Sequence, residues 1–522
     1  MGTYLNPGNT QFQKAINNNP YVDKSGLLAE LNRIINTNDC FVCISRPRRF
    51  GKTMAANMLS AYYGCEHDTA GMFAGLEIEN HPSFRQHLNK YNVVFINMVE
   101  MINRSTVREM ISRIEKVLSK EFQKAYPDVP MDPDMTFVDY LKSIHQATGI
   151  GMVVIIDEWD CIFRENQNNQ KAQKEYLEFL RDFLKDKPYI SLAYMTGILP
   201  IKKYGSHSAL NMFNEFSMTS PKQFDRFVGF TADEVRGLCD RYGMDFSEMS
   251  AWYDGYSFPR VPSVFNPRSV VAALSSRSYG NYWTRTETYE ALKVYIDMDT
   301  DGLRGDIVRL LAGDKVMIES DSFTNDMVTF AVKDDVLTLL VHLGYLGFLE
   351  NTNEVFVPNK EIRDEFMTSI RMSKWDEVMN AVKISDSLLR ATWDGDAAAV
   401  AALVEEAHQE TSHLTYNDEN ALAYTVSLAY YSARQYYSII REMPSGKGYA
   451  DMIFLPVRSH PDKPAMVIEL KWDKSAQGAI KQIKDKNYPA ALKGHTGQLL
   501  LVGINYDKDT KVHTCEIEEH TG

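Results

Sequence analysis

Residues 41–63 read FVCISRPRRFGKTMAANMLSAYY, and this stretch decides the fold of the first half of the chain. Its beginning is an apolar run typical of a buried strand, and its end has the composition of a helix. Further apolar runs at 93–98, 152–157 and 190–197 alternate with helical stretches. Strands that alternate with helices in this way pair in parallel and are covered on both faces. The sequence therefore predicts an α/β fold with a three-layer αβα domain.

The segment between that strand and helix is a basic loop that contains glycine. Gly51, Lys52 and Thr53 match the end of the phosphate-binding pattern GxxxxGK[ST], and Arg46 stands where the pattern begins with glycine. In such a P-loop, backbone N–H groups and the N-terminus of the following helix surround a phosphate chain. The predicted nucleotide-binding loop consists of Arg46, Pro47, Arg48, Arg49, Phe50, Gly51, Lys52 and Thr53.

Two further strand ends complete the pattern of a P-loop NTPase. The run MVVIIDEWD (152–160) contains Asp157 and Glu158 at its strand end, and ISLAYMTG contains Thr196. Asp157 and Thr53 are expected to hold the Mg²⁺ of a bound nucleotide, and Glu158 to polarise water. Thr196 is a candidate sensor of the γ-phosphate. The alternative is a chance strand–turn–helix connection, with acids that merely end a strand.

The pattern changes after residue 230. Residues 231–370 are mainly helical and aromatic, and 330–360 reads as a helix followed by two strands, which permits a winged helix. Residues 371–410 predict a helical connector, and 411–522 read as a second α/β unit. The expected domains are therefore 1–230, 231–370, 371–410 and 411–522.

The last region contains two carboxylates and a lysine at strand positions. If RSHPDKP (458–464) is the turn of a hairpin, Asp451 lies opposite Leu470. It then lies between Glu469 and Lys471, which are two residues apart and share one face of their strand. Asp451 and Glu469 are candidate ligands of Mg²⁺ or Mn²⁺, and Lys471 can orient or deprotonate water. The alternative is a surface Asp and an exposed Glu–Lys pair on an edge strand.

Flanking residues add to this group. Gln482, in a helix expected over 476–494, can hold a metal-bound water or a phosphate, and Glu419 in the preceding helix can add a carboxylate. The segment from Lys474 to Lys493 contains five lysines and one acid, Asp485. Such a segment attracts a polyanionic backbone.

Composition excludes several classes of protein. The chain has 522 residues and a net charge of −13, which argues against a surface coated in positive potential for nucleic acid. It lacks a long apolar run and a secretory signal, and its six cysteines are scattered. We therefore expect a cytoplasmic protein without a membrane partner. Because no HExxH and no cysteine–histidine pairing at zinc spacing occurs, we expect no zinc site.

The first part of the chain resembles the AAA-ATPase-like family, which is mostly bacterial and often fused to a nuclease-like domain. The resemblance covers most of residues 4–365 and implies ATP binding at 46–53, handling of Mg²⁺ and water at Asp157 and Glu158, and a sensor at Thr196. The segments that match are YVDKSGLLAEL, SRPRRFGKTM, VVIIDEWD, MTGIL, GFTADEV, WYDGYSF, FNPRSV and HLGYLGF.

The last part, about residues 411–515, resembles the PD-(D/E)XK nuclease superfamily through GYAD, VIELKW and KQIKDKNY. This resemblance implies a restriction-endonuclease-like fold and metal-dependent phosphodiester cleavage. By position it implies roles for the following residues: Asp451, Glu469, Lys471, Gln482 and Glu419.

These two patterns lead to one hypothesis and its rivals. The hypothesis is an ATPase whose nucleotide state controls a nuclease acting on nucleic acid, DNA rather than RNA, in defence or mobile-DNA processing. The first rival is a nucleotide-dependent switch or scaffold whose last domain only binds nucleic acid or a partner. The second is an ATPase with a degenerate nuclease domain. An oligomer is compatible with each of them.

Overall fold

The computed structural model describes the following residues: 2–102, 106–165, 169–201, 210–283, 289–298, 302–320, 323, 330, 332–373, 375, 379, 382–410, 419–445, 448–457, 460–488 and 497–520. The chain divides into two compact units, Met1–Glu287 with Val316–Asp364, and Thr288–Lys315 with Glu365–Gly522. The division into the four predicted domains stays a prediction. Among the helices of the described residues, none is long and apolar enough to cross a bilayer.

The helices are numbered in chain order. They are α1 (Thr10–Ile16), α2 (Gly26–Ile34), α3 (Lys52–Tyr63), α4 (Phe84–His87), α5 (Met98–Ile102), α6 (Val107–Ala125), α7 (Phe137–Thr148), α8 (Cys161–Glu165), α9 (Gln170–Leu184), α10 (Ala232–Tyr242), α11 (Phe246–Tyr253), α12 (Pro267–Ser276), α13 (Tyr289–Ile296), α14 (Leu303–Leu311), α15 (Lys333–Leu343), α16 (Lys360–Met372), α17 (Ser385–Trp393), α18 (Ala397–Glu410), α19 (Glu419–Ala429) and α20 (Ala476–Asp485).

The strands are numbered in the same way. They are β1 (Phe41–Ser45), β2 (Asn92–Asn97), β3 (Met152–Asp157), β4 (Ile190–Gly197), β5 (Asn214–Phe216), β6 (Phe230–Thr231), β7 (Tyr256–Phe258), β8 (Val261–Phe265), β9 (Val316–Met317), β10 (Gly347–Leu349), β11 (Glu354–Phe356), β12 (Tyr437–Ser445), β13 (Gly448–Pro456), β14 (Ala465–Trp472), β15 (Leu499–Asp507) and β16 (Val512–His520).

The first unit contains a parallel five-stranded sheet in the order β2-β3-β4-β1-β5. Its strands are nearly all buried because helices cover both faces. Helices α6, α7 and α9 present apolar side chains such as Ile114, Ile144 and Leu180 to one face. Helix α3 packs on the other face. This arrangement confirms the predicted α/β class and its three-layer domain, with β4 between β1 and β3.

The middle of the chain combines helices with two small antiparallel sheets, β6-β8-β7 and β10-β11-β9. Helices α10, α11 and α12 form a separate core around Leu238, Tyr253 and Phe265. The predicted helix and two strands at 330–360 correspond to α15, β10 and β11, and β9 adds a third strand. The region is thus less purely helical than its sequence pattern indicates.

The second unit contains a mixed five-stranded sheet in the order β12-β13-β14-β15-β16. Only β14 and β15 pair in parallel, and α20 connects them. Helix α20 packs Ile480 and Ile483 against one face of the sheet, beside Val467 and Leu501. This helix ends at Asp485, earlier than predicted, and part of the predicted extension, 489–496, lies outside the described residues.

Candidate functional sites

Residues in the left-handed region bend the loop between β1 and α3. Arg49 has a φ of 68° and Gly51 a φ of 93°, a conformation that glycine adopts without strain. Helix α3 begins at Lys52, directly after the bend. Its first N–H groups have no partner within the helix and are oriented toward the loop. The loop therefore has the backbone geometry of an anion site.

The Lys52 side chain turns back onto this loop. Its Nζ donates to the carbonyl oxygens of Arg46 and Pro47, each at 2.9 Å. Burial lowers the pKa of Lys52, while nearby carboxylates, first among them Glu158, oppose that change. The ammonium is thus held by neutral oxygens, which a phosphate oxygen can replace with a stronger charge-assisted bond.

Asp157 is the centre of a polar group formed by separate elements. Its Oδ2 accepts from Thr53 Oγ1 at 2.8 Å and from Asn97 Nδ2 at 3.3 Å, and its Oδ1 accepts from Thr196 Oγ1. Burial raises the pKa of Asp157, whereas the hydroxyl donors lower it. The structure thus brings Thr53, Asp157 and Thr196 together beside a helix N-terminus. Hydroxyl and carboxylate oxygens in that position fit Mg²⁺ and a nucleotide phosphate.

Asn97 was missed in the sequence, although it ends β2 as Asp157 ends β3. The two residues are direct neighbours in the parallel register. The signal was available, because a polar residue at the end of an apolar strand lies at the same sheet edge as the other strand ends.

Glu158 is held in an ion pair that the sequence did not indicate. It has a φ of 56° and its carboxylate contacts Arg164 of α8. Arg164 Nε also lies 3.3 Å from Asp160 Oδ2. The Asp160 carboxylate accepts from the N–H groups of Ile198 and Leu199, at 3.1 and 2.9 Å. Arg164 therefore fixes the position of the Glu158 carboxylate through its Oε2.

The three arginines of the loop have different environments. Arg46 is fully buried and its Nη1 donates to the Phe216 carbonyl at 2.9 Å, while burial lowers its pKa to about 10. Arg49 Nη1 donates to the Trp283 carbonyl at 3.0 Å. Arg48 is exposed. Arg46 thus packs into the protein at the position where the general pattern has glycine.

Residues that follow the sheet domain contact the same loop. The Gly229 N–H donates to the Phe50 carbonyl at 3.0 Å, and the Phe50 ring lies edge-on to Tyr256, with centroids 5.1 Å apart. On the other side, a Cβ at Gly344 would lie 2.7 Å from the Cβ of Pro47. Both apolar residues of the loop are therefore enclosed by the middle of the chain.

In the second unit, the register between β13 and β14 differs by one residue from the prediction. Met452 pairs with Ile468, and continuing this register sets Asp451 level with Glu469. The predicted register, which set Asp451 opposite Leu470, is wrong.

The physical reason lies in the connection that follows β13. The Val457 carbonyl accepts from the His460 N–H at 2.9 Å, and the His460 carbonyl accepts from the Lys463 N–H at 3.3 Å, so the chain returns to β14 through two short turns where the prediction assumed a single hairpin turn. Despite this change in register, the Asp451 side chain still lies beside the site residues of β14. Asp451 Oδ2 accepts from the Leu470 N–H at 2.7 Å, which fixes the carboxylate next to β14.

Glu469 is the residue on which the other side chains meet. Its Oε1 accepts from Lys471 Nζ at 2.7 Å and from Gln482 Nε2. Lys471 Nζ also donates to the Leu470 carbonyl at 2.9 Å, and Gln482 Nε2 lies 3.3 Å from the Tyr488 hydroxyl. The predicted residues Glu469, Lys471 and Gln482 are thus in contact. Tyr488, at the end of the KQIKDKNY segment, adds a hydroxyl beside Gln482.

The other oxygen of Glu469 is the one that indicates a ligand. Glu469 is 1% exposed, and its Oε2 accepts no hydrogen bond from any described residue. Burial, and then the charge of Asp451, raise the pKa of Glu469 to about 7. A buried carboxylate oxygen of this kind is costly unless a proton or a cation binds it. Two carboxylates with Gln482 nearby fit a hard divalent ion such as Mg²⁺ or Mn²⁺.

Gly503 permits this arrangement because it lets α20 approach the sheet. It pairs with Glu469 across β15 and β14, and a Cβ there would lie 2.4 Å from the Ala476 carbonyl oxygen. The close approach brings Gln482 within reach of Glu469. No motif in the sequence indicated that this glycine supports the site.

The remaining predicted residues contribute less. Glu419 begins α19, and its side chain lies outside the described residues. The lysine segment is partly neutralised, since Lys484 pairs with Glu518. Exposed lysines in the described part of the segment are Lys474, Lys481, Lys484 and Lys486.

Comparisons with known proteins find a family match for each of the two regions that contain these residues. Residues 7–206 match the model of the family described as "Predicted AAA-ATPase", and residues 418–516 match that of the PD-(D/E)XK nuclease superfamily. The chain is 22% identical over 515 residues to an "Uncharacterized protein in vnfD 5'region" of Azotobacter chroococcum mcd 1, with 94% of this chain and 93% of the relative covered.

Similar solved structures are distant. The Aeropyrum pernix ORC2 protein in ADPNP and ADP complexes is 13% identical, with a TM-score of 0.31. The alignment covers 68% of the present chain and 97% of the ORC2 chain. The A. pernix ORC1 protein in complex with DNA is 11% identical, with a TM-score of 0.23. This alignment covers 90% of the present chain and 93% of the ORC1 chain. The family assignment therefore rests on the sequence models: residues 7–206 form an AAA-ATPase-like domain, and residues 418–516 form a domain of the PD-(D/E)XK nuclease superfamily.

Proposed function

We propose that the first domain binds and hydrolyses ATP and thereby controls a metal-dependent nuclease in the last domain, with DNA as the preferred substrate. The observation that carries this proposal is the buried Glu469 oxygen without a hydrogen-bond donor, next to Asp451 and Lys471. The proposal places the protein in the bacterial cytoplasm. A role in defence or mobile-DNA processing rests on family analogy alone.

In the nucleotide site, each side chain has a separate task. Lys52 would exchange its two carbonyl partners for phosphate oxygens, and the loop from Arg46 to Thr53 would supply N–H groups. Thr53 and Asp157 would hold Mg²⁺, which neutralises phosphate charge when bound. Thr196, like Thr53, donates a hydrogen bond to Asp157 and would respond to the γ-phosphate. Glu158 would orient water after its release from Arg164.

In the nuclease-like site, Asp451 and Glu469 would hold one divalent ion, which supplies Lewis acidity at a phosphodiester when bound. Lys471, whose ammonium is already 2.7 Å from Glu469, would orient the attacking water and stabilise the negative charge that develops at the phosphodiester. Gln482 would hold a water or a phosphate oxygen on the helix side, and Glu419 is proposed as a further carboxylate.

The test is a nuclease assay on plasmid DNA and on single-stranded RNA, with Mg²⁺ or Mn²⁺, with and without ATP. The variants are Lys52→Ala and Glu469→Gln, with Lys120→Ala as the control because that lysine is exposed and lies outside the basic segment Lys474–Lys493. We expect cutting of DNA by wild type and control, none by Glu469→Gln, and loss of the ATP response in Lys52→Ala. Cutting by Glu469→Gln at the wild-type rate would contradict the proposed nuclease site.

A second candidate function is a nucleotide-dependent switch whose nuclease-like domain only binds nucleic acid or a partner. The net charge of −13 and Glu518 of β16, which pairs with Lys484 of the lysine segment, favour it. Metal titration separates the two functions. A nuclease binds Mn²⁺ through Asp451 and Glu469 without ATP, whereas a pure switch binds it only together with nucleotide.

A further inference from the structure

A second cluster of potential metal ligands lies in the second unit. Glu405 and His408 are three residues apart on α18 and therefore lie on the same side of this helix. His513 is in β16, against which α18 packs. One ligand atom from each of the three side chains lies within 4.8 Å of the other two. Residues as far apart as 108 positions in the sequence thus meet at one point.

Direct contacts fix the cluster. His513 Nδ1 lies 2.5 Å from Glu405 Oε2, and the His513 N–H donates to the same oxygen at 3.2 Å. The His408 and His513 rings are 5.1 Å apart and nearly perpendicular, at 81°. Tyr506 packs against both rings, at 4.7 Å from His513 and 5.1 Å from His408. The His513 side chain is fully buried, and that of Glu405 is 28% exposed, so solvent reaches one side of the cluster.

The cluster is separate from the nuclease-like site. His513 pairs with Tyr506, and Tyr506 pairs with Trp472, so the three are neighbours across adjacent strands. Trp472 follows Lys471 directly, and successive residues of a strand point to opposite faces of the sheet. The cluster therefore lies on the face opposite to Lys471 and Glu469.

We propose that Glu405, His408 and His513 form a binding site for a divalent transition-metal ion of the zinc type. Two imidazoles and one carboxylate are a ligand set that suits Zn²⁺ and its first-row neighbours, whereas the oxygen ligands of the nuclease-like site suit Mg²⁺ or Mn²⁺. Water can complete the coordination from the exposed side of Glu405. The ion would tie α18 to the edge strand β16. A Glu405–His513 hydrogen bond alone would also join them, and the metal titration below distinguishes the two arrangements.

The search for zinc motifs in the sequence could not find this site. The motifs require cysteines, or histidines on one helix, whereas this cluster takes two ligands from a helix and a third from a distant strand. Only the packing of α18 against β16 brings them together.

The test is a titration of the chelator-treated full chain with Co²⁺, followed by visible absorption, and competition with Zn²⁺. We expect one Co²⁺ per chain with the absorption of nitrogen ligands. His408→Gln and His513→Gln should weaken binding at least about 100-fold. Glu469→Gln should leave the signal intact, and so should His520→Gln, which changes an exposed histidine of the same strand.

Thermal unfolding provides the second measurement. Zn²⁺ should raise the melting temperature of the wild type and of Glu469→Gln but not of Glu405→Gln, whose substitution on a helix surface preserves the size of the side chain. The proposal is overturned if wild type gives no nitrogen-ligand absorption, if the histidine variants bind as the wild type does, or if Glu469→Gln abolishes the signal. Because Glu469→Gln inactivates only the proposed nuclease, failure of one site is distinguishable from failure of the other.

Discussion

The two candidate sites differ in how their charged groups are satisfied. In the loop site, Lys52 has two carbonyl partners, Asp157 has three side-chain donors, and Glu158 has Arg164. In the nuclease-like site, one oxygen of Glu469 is buried without a donor. The first site is closed by its own contacts until a ligand displaces them, and the second needs a proton or a cation. The difference teaches that similar ligand chemistry can begin from opposite resting states.

The largest expected effect is on Lys471. Lys471→Ala removes the ammonium that contacts Glu469, and we expect DNA cutting to fall by about 10²- to 10³-fold, because stabilisation of developing charge is lost. ATP turnover should not change. Initial rates of plasmid cleavage measure the effect, with Lys120→Ala, outside the basic segment, as the lysine control. Equal losses in both variants would show that the contact with Glu469 is not what matters.

The second prediction concerns pH. The pKa of Glu469 in the folded protein is raised to about 7, so this residue keeps its proton at pH values where an unfolded glutamate has lost it. Below pH 7 a metal ion must displace that proton. We expect Mn²⁺ affinity to fall by about tenfold per pH unit between pH 7 and pH 5, measured by titration calorimetry.

The same shift fixes the sign of a stability effect. Between the two pKa values the folded state binds more protons than the unfolded state, so the free energy of unfolding without metal should fall as pH rises. Excess Mn²⁺ should remove this fall at pH 7, and Glu469→Gln should lack it. A metal-free stability that rises through this interval, in the wild type relative to Glu469→Gln, would contradict the assignment.

The third prediction tests whether the first site is restrained by its own contacts. Arg164→Gln removes the partner of Glu158, and an ion pair that is mostly buried but not isolated from water is worth about 1 kcal/mol. If Glu158 orients water, basal ATP turnover should rise roughly fivefold, which a phosphate-release assay measures. Glu158→Gln should abolish the increase in the double variant.

The last prediction concerns Thr196, where the expected effect is on stability and not on activity. Thr196→Val removes one of the donors to the buried Asp157 carboxylate while preserving shape. We expect the free energy of unfolding without nucleotide to fall by about 1–2 kcal/mol. Denaturant titration measures it, and Thr196→Ser should retain most of the stability. No difference between the two variants would mean that the hydroxyl contributes nothing.

Sequence reasoning succeeded where a local pattern determines geometry. The apolar run before residue 46 and the Gly51–Lys52–Thr53 pattern predicted a strand, a bend and a helix, because the backbone of that segment has few alternatives. The parallel order of strand ends then brought Asp157 and Thr196 near Thr53.

It failed where packing between distant segments decides the outcome. The hairpin register was wrong by one residue because the connection after β13 contains two short turns, Val457–His460 and His460–Lys463, where the prediction assumed a single hairpin turn. Arg164, as the partner of Glu158, and Gly503, as the residue that admits α20, depend on tertiary contacts in the same way. The lysine segment was interpreted by its own charge, although Glu518 of β16 neutralises Lys484.

The enclosure of Phe50 and Pro47 has a consequence for communication within the first unit. Gly229 and Tyr256 contact Phe50 directly, and Gly344 lies against Pro47. The two apolar residues of the proposed phosphate-binding loop are therefore packed against the middle of the chain. A change of loop shape on nucleotide exchange would displace those three residues without any intermediate layer. Nucleotide binding at the loop would then change the conformation of the middle of the chain through the side chains of Phe50 and Pro47.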